Sequence, residues 1–169
     1  GKMTEPNEII KKIENYFNNL SKNKKLKALV TAGPTREYID PVRFITNRSS
    51  GKQGFELAKS LSKKGFETTL ISGPTNLKVE KDINFINVES ADQMFKATQN
   101  SLPVDVAIFS AAVSDFKIKD KRKNKIKKED YINLNLEKNI DIINYVSNHN
   151  SLRPKLVIGF AAETNDISN

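Results

Sequence analysis

The stretch from Lys24 to Gly54, KKLKALVTAGPTREYIDPVRFITNRSSGKQG, restricts what this chain can become more than any other. A short apolar run, Ala28-Leu29-Val30, reads as a strand buried on both faces, which belongs in a parallel sheet with helices above and below. It spills into a long polar loop that ends on Gly51-x-x-Gly54. The first amides of the helix that starts there have no intrahelical partners, and the helix dipole favours negative charge, so such a junction can hold phosphate. The plain alternative is a tight helix start packed against the sheet. A loop of this length without secondary structure is uncommon in a compact domain unless it binds something.

The rest of the chain repeats the alternation. Pro6 to Leu20 places apolar residues at helical spacing, with Pro6 suited to the first turn and Ser21 to Lys25 reading as a linker. Leu26–Thr31 is the first strand, and a helix runs from about Gly51 to Lys64, ended by Gly65. Thr68–Ser72 and Asn84–Val88 are strands. Ser90 with Gln93 forms a capping-box signature for a helix over Ala91–Asn100. Val104–Ser110 reads as a central strand, Tyr131–Leu136 as an edge strand or arm, and Asp141–Asn148 as a helix with Ile142, Ile143 and Val146 inward. Leu156–Phe160 is the last buried strand. This order predicts an α/β, three-layer Rossmann-like fold with a mostly parallel sheet and a flexible basic flap.

Composition removes several functions. The 169 residues include no Cys and a single His, His149, read as a surface residue. Disulfides, thiolate metal sites, a cysteine nucleophile and a Ser-His-Asp centre are therefore poor readings. No apolar run approaches the roughly 20 residues that span a bilayer, so a cytoplasmic chain without membrane contact is expected. The net charge of +8 is concentrated between Lys117 and Lys128, a block that steers polyanions or is simply a solvated Lys-rich loop. Aromatic interleaving of the kind that stacks RNA bases is missing, and nucleic acid is not expected as a partner.

In open α/β sheets ligands sit beyond the carboxyl ends of the strands. Three polar segments fall there: the 32–54 loop, Ala111-Ala112-Val113-Ser114-Asp115, and Ala161-Ala162-Glu163-Thr164. G-x-G-x-x-G is absent, as is a P-loop, which disfavours a dinucleotide oxidoreductase or epimerase. Asn47 either caps a turn or, beside arginines, binds an oxygen on which negative charge develops. Arg36 and Arg43 are surface charges or ligand contacts, and Asp40-Pro41 reads as a simple turn. Asp115 and Glu163 either orient a hydroxyl or metal-bound water or serve as caps.

The motifs TAGPTREYIDPVRFITNRSSGKQG, SGPT, AAVSDF, KIKK and GFAAET, in this order, resemble those of phosphopantothenoylcysteine synthetase. That domain usually forms the C-terminal half of the bacterial bifunctional coenzyme A biosynthesis flavoprotein. Gly1-Lys2-Met3-Thr4-Glu5-Pro6 is similar to the G-R-M-x-E-P motif at the end of the preceding decarboxylase domain. The resemblance implies residues 1–25 as the tail of that domain with a linker helix, and 26–169 as a CTP-binding synthetase domain that is C-terminally incomplete. It implies a ligase joining 4′-phosphopantothenate to cysteine through an acyl-cytidylate, with CTP as co-substrate and Mg²⁺ or Mn²⁺ as metal. FMN would belong only to the absent decarboxylase domain. A homodimer covalently linked to that domain is implied, and an inactive fragment is the alternative.

Carried over residue by residue, the resemblance makes Asn47, Lys125 and Arg43 catalytic. It assigns Ser50, Gly51 and Gly54 to a triphosphate cradle. Ala111, Asp115 and Phe160 would flank the nucleotide, and Asp115 would be the metal-associated acid. Asn139, Ile140, Asp141 and Ile142 would read the base through their backbone, with Ile140 standing where the family has proline.

Overall fold

A computed structural model describes residues 4–17, 25–128 and 133–161. Its centre is a five-stranded parallel sheet in the order β5-β4-β1-β6-β9. The strands are β1 (Lys27–Ala32), β4 (Glu67–Ser72), β5 (Asn84–Asn87), β6 (Val106–Phe109) and β9 (Leu156–Gly159). Alternate side chains serve opposite faces, as the pleat requires. Ala28, Val30, Leu70, Val106 and Ile108 join a core with α1 (Pro6–Phe17) and α2 (Lys52–Lys63). Leu29, Ile71, Ala107 and Phe109 face the other way, toward α3 (Ala91–Ser101) and α4 (Ile142–Ser147). The three-layer α/β architecture predicted from the alternation is present.

The helices start and stop where local chemistry dictates. Ser90 Oγ accepts from the Gln93 amide at 3.3 Å, while Gln93 Oε1 accepts from the Ser90 amide at 3.4 Å, completing the capping box of α3. Asp141 Oδ1 accepts from the Asn144 amide at 2.9 Å and caps α4. Gly65, with φ 86°, follows the C-cap of α2, a left-handed position that favours glycine.

Two small ribbons depart from the sequence expectation. The 32–54 segment is not a bare loop: β2 (Arg36–Tyr38) and β3 (Phe44–Thr46) pair antiparallel within it. A second antiparallel ribbon joins β7 (Phe116–Ile118) to β8 (Leu136–Lys138). The expected 131–136 strand therefore begins only at Leu136 among the described residues. Strands of three residues are too short to show an alternating pattern, which is why sequence periodicity passes over them. Two helical faces also differ from expectation. Ile143 is 37% exposed and lies over Gly159, and Tyr16 is 49% exposed. Leu20 and the 21–24 linker lie outside the described residues, as does Glu163.

The contact between α2 and the sheet depends on Gly54. A Cβ there would meet Ala32 Cβ at 2.5 Å, Ser110 Oγ at 2.6 Å and the Thr31 carbonyl at 3.0 Å. Gly54→Ala should gain up to about 1 kcal/mol of helix propensity. It should lose about 1–3 kcal/mol to overpacking, so the clash wins. Urea denaturation should show a lower midpoint than the unaltered chain; an equal or higher one would mean that the helix seats loosely on the sheet.

Candidate functional site

The strand order reverses direction at β1, with β4 on one side and β6 on the other. At such a switch point the outgoing loops part and leave a crevice. Here the crevice between β1 and β6 is zipped for several residues past the strand ends. The Ala112 amide donates to the Gly33 carbonyl at 2.9 Å, the Thr35 amide donates to Ala112 at 3.4 Å, and Ser114 donates to Thr35 Oγ1 at 3.0 Å. Ser110 Oγ donates to the Thr31 carbonyl at 2.7 Å. The opening is displaced toward β6, β9 and α4.

That opening is a cleft of about 750 Å³, within the range of small-molecule sites. The 109–116 segment forms its floor, Asn139 to Ile143 one wall, and Phe160 and Ala161 the other, with Asn47 at the rim. Asn47 Nδ2 donates to the Val113 carbonyl at 2.9 Å, which ties the hairpin to the floor and leaves the second N–H and the carboxamide oxygen at an exposed position. Asn139 is held from two sides: its amide donates to Asp115 at 2.8 Å and its Nδ2 to Ser114 at 2.8 Å. Its Oδ1 is buried with no partner among the described residues.

The hairpin carrying Asn47 is fixed by two carboxylates. Glu37 is fully buried, and its Oε1 accepts from the Ala91 amide at 2.9 Å, at the positive end of α3. Asp40 closes the β2–β3 turn. Its Oδ1 accepts from the amides of Val42 and Arg43, each at 2.8 Å; its Oδ2 accepts from Arg43 Nη1 at 2.6 Å and from the Ile126 amide at 3.1 Å. Desolvation pushes this carboxyl up. The amides of Val42, Ile126 and Arg43 and the Arg43 guanidinium outweigh it and hold the pKa at about 2, against 3.8 for the free group.

The sequence-predicted residues separate into three groups. Asn47, Ala111, Asp115, Asn139, Ile140, Asp141, Ile142 and Phe160 all line the cleft. Arg43 and Lys125 do not: they share a smaller pocket of about 290 Å³ with Ile126, Lys127 and Lys128. Arg43 is engaged by Asp40 and the Ile126 carbonyl, so it holds the basic segment and is not a cleft contact. Ser50, Gly51 and Gly54 form the third group. Gly51 is buried with φ 75°, close to Gly33 and Thr75, and its amide donates to Ser49 Oγ at 3.2 Å. The Lys52 amide donates to Ser50 Oγ at 3.4 Å. The two glycines thus act as close-packing points at the helix start.

Other expectations also change. Arg36 lies 3.6 Å from Glu89 and stacks over Phe44 at 4.7 Å, so its guanidinium is engaged by these two residues. Lys117 is paired with Asp92 and Glu137, which takes part of the basic block out of the free charge. His149 is half-buried, and its Nδ1 accepts from the amides of Ser151 and Leu152. Among the described residues no group of three His, Cys, Asp or Glu side chains could hold a metal, so Asp115 lacks fellow ligands. Sequence reasoning missed Lys138 and Ser110 in the lining; both sit beside recognised motifs.

Comparison with known proteins places residues 23–169 in a family described as DNA/pantothenate metabolism flavoprotein C-terminal domain. The coenzyme A biosynthesis bifunctional protein CoaBC of Haemophilus influenzae is 43% identical over 169 residues, covering 99% of this chain and 42% of that protein. The chain thus spans less than half the length of the curated relatives it matches. A crystal structure of the C-terminal domain of CoaBC superposes with a TM-score of 0.70 at 40% identity, covering 84% of this chain and 67% of that one. Cab2 mutant H337A in complex with phosphopantothenate-cysteine gives 0.65 at 18% identity, covering 98% and 73%, a likeness of fold.

These findings correct the assignment drawn from the motifs. The matching family is named as a flavoprotein's domain, and its description carries neither a ligase nor CTP. The identification as phosphopantothenoylcysteine synthetase is set aside, with CTP-dependent ligation, Mg²⁺ or Mn²⁺, and 4′-phosphopantothenate, cysteine and CTP as substrates. Coenzyme A biosynthesis and a bifunctional protein stand in the relatives' names. FMN can no longer be confined to an absent domain by name alone, because the family name itself carries a flavin. Flavin chemistry uses a group beside the ring that moves protons with the electrons. Among the described residues the lining holds no His, Cys or Tyr; its titratable side chains there are Asp115, Lys138 and Asp141, and Asp141 already caps α4. These residues do not fit the group.

Asp40 gives the region a pH signature. Its depressed pKa means that its stabilising contribution is complete above 3.8 and is lost as pH falls through about 2. In urea titrations across that window, the unaltered chain should lose stability relative to Asp40→Asn, and the two should converge toward the acid end. Parallel curves would mean that the carboxylate is not held by these donors.

Proposed function

The chain belongs to the DNA/pantothenate metabolism flavoprotein C-terminal domain family, and from that premise we propose that its cleft binds a phosphorylated pantothenoyl compound bearing cysteine, in coenzyme A biosynthesis. The supporting observation is the cleft lining. Such a ligand is a run of amides with a branched apolar segment, a thiol-bearing carboxylate at one end and a phosphate at the other. The floor from Ser110 to Asp115 and the wall from Asn139 to Ile142 bring backbone groups toward the same opening. Ile140 and Ile143, exposed by 44% and 37%, offer apolar surface for the branched segment. Lys138 supplies a cation, and Asn47 has a carboxamide suited to an amide or carboxylate.

Each residue then has a physical task. Asn47 orients an oxygen of the ligand while Val113 fixes its own position. Asn139 holds the floor at Ser114 and Asp115, so the cleft is formed before the ligand arrives. The small side chains of Ala111 and Ala112 allow close approach to the backbone. Cab2 mutant H337A is solved with phosphopantothenate-cysteine, but at 18% identity that likeness extends to fold alone. The ligand is assigned here from the chemistry of the lining together with the coenzyme A context of the relatives. No helix among the described residues is long and apolar enough to cross a membrane. The proposed location is the cytoplasm, in keeping with the lack of Cys.

Calorimetric titration with phosphopantothenate-cysteine should show saturable binding. Asn47→Ala should weaken it by about tenfold, the effect of one hydrogen bond to a charged or strongly polar group. No heat at ligand concentrations that saturate a millimolar site would overturn the reading. Flavin absorbance that stays with the purified chain would do so as well, by giving the cleft a different occupant.

A further inference from the structure

The capping of α3 leaves one donor for the hairpin. Ser90 Oγ serves the Gln93 amide, and Gln93 Oε1 serves the amides of Glu89 and Ser90. The next amide, that of Ala91, belongs to a buried residue outside this box. Glu37 Oε1 takes it at 2.9 Å, from 54 residues away in the chain. The neighbours of Glu37 reach the same turn: the Arg36 amide donates to the Glu89 carbonyl at 2.7 Å, and Tyr38 Oη donates to Glu89 Oε2 at 3.3 Å. Tyr38 and Glu89 are half-exposed, whereas Glu37 and Ala91 are sealed from water.

A carboxylate is a costly filler for such a position. Its other oxygen, Oε2, is buried without a partner among the described residues, and an apolar side chain of similar size would avoid that desolvation. What the carboxylate adds is direction. Apolar contact holds two surfaces together without fixing where one lies on the other, whereas an N–H···O bond sets a distance and an angle. Negative charge at the positive end of α3 strengthens that bond. The hairpin needs such an anchor, because its strands are three residues each, too short to hold a place alone. The bond from Asn47 to Val113 lies at an exposed position, where water competes for both groups.

We infer that Glu37 is a positioning residue, which through the Ala91 amide sets where the β2–β3 hairpin lies and so holds Asn47 over the floor of the cleft. The path is short. Glu37 pairs with Ile45 across the hairpin, Arg36 pairs with Thr46, and Asn47 is the next residue. Thr46 Oγ1 donates to the Thr35 carbonyl at 2.8 Å and closes the hairpin at its open end. The first turn of α3 is thus the fixed point from which the rim of the cleft is placed.

The binding part rests on the proposed function; the placement of Asn47 does not, and two readouts keep them apart. NMR of the chain without ligand reads the placement, from the Asn47 side-chain N–H₂ pair and the Val113 and Ser114 amides. Glu37→Leu removes the acceptor at similar volume. The Asn47 pair should then move toward the position of a freely solvated amide and the two backbone amides should shift with it, while the amides of α1 and β4 stay in place. Glu37→Gln keeps an acceptor for Ala91 and should restore most of the native pattern. Unmoved signals in Glu37→Leu, an equal displacement in Glu37→Gln, or collapse of α1 and β4 along with the hairpin would overturn the positioning.

Calorimetric binding of phosphopantothenate-cysteine then reads the role. Glu37→Leu should weaken it by about tenfold, as Asn47→Ala does, and should add less than about twofold in an Asn47→Ala background, since both act through one side chain. Glu37→Gln should stay within about threefold of the unaltered chain. A full additional loss in the Asn47→Ala background, or unaltered affinity in Glu37→Leu, would overturn the role of Glu37 in binding. If the unaltered chain binds no ligand, that role and the proposed function both fall, and the resonances still decide the placement.

Discussion

Everything at the functional end of this molecule hangs on the hydrogen bonds that continue the β1–β6 pairing beyond the strands themselves. Parallel strands normally diverge where their crossovers leave. Here Gly33 and Thr35 stay in register with Ala112 and Ser114, and the isolated bridge between Pro34 and Ala112 marks the same continuation. The zipper closes the crevice that a switch point would otherwise leave and transfers the opening to the β6–β9 side. It also fixes the departure of the β2–β3 hairpin, which returns to the same floor through Asn47 and Val113.

Glycine makes that arrangement possible at two points. Gly33, with φ 70°, turns the chain out of β1 in a conformation most side chains avoid. Gly54 lets α2 approach β1 and β6 so closely that a methyl group would collide with three atoms. The glycine-rich stretch is therefore an instrument of close packing first. Its position beside the strand ends looks the same in sequence whether it seats a helix or cradles a phosphate. In the structure Ser49 and Ser50 accept from the Gly51 and Lys52 amides.

The architecture was legible because it rests on strong periodic signals: buried apolar strands, a capping box at Ser90 and Gln93, and a terminating glycine at Gly65. The cleft residues were legible because they sit on strand ends, where small and polar residues interrupt apolar runs. What stayed hidden depends on pairing between distant short segments. β2, β3 and β7 are three residues each, and nothing in such lengths distinguishes strand from loop. Arg43 and Lys125 were read as catalytic from motif likeness; in the structure Asp40 engages Arg43, and Arg43 and Lys125 line a pocket apart from the cleft. A charge in a loop carries no sequence mark of which partner it will find. The activity assigned from those motifs was likewise corrected by the family match, which supports a named domain and no particular reaction.

The central claim is that the opening beside β6, β9 and α4 is where the ligand sits. Backbone amide NMR during titration with phosphopantothenate-cysteine tests it most directly. The account predicts shifts at Ala111 to Asp115, at Asn139 to Ile142 and at Asn47, with α1 and β5 unmoved. Shifts confined to α1 or β5, or none at saturation, would contradict it.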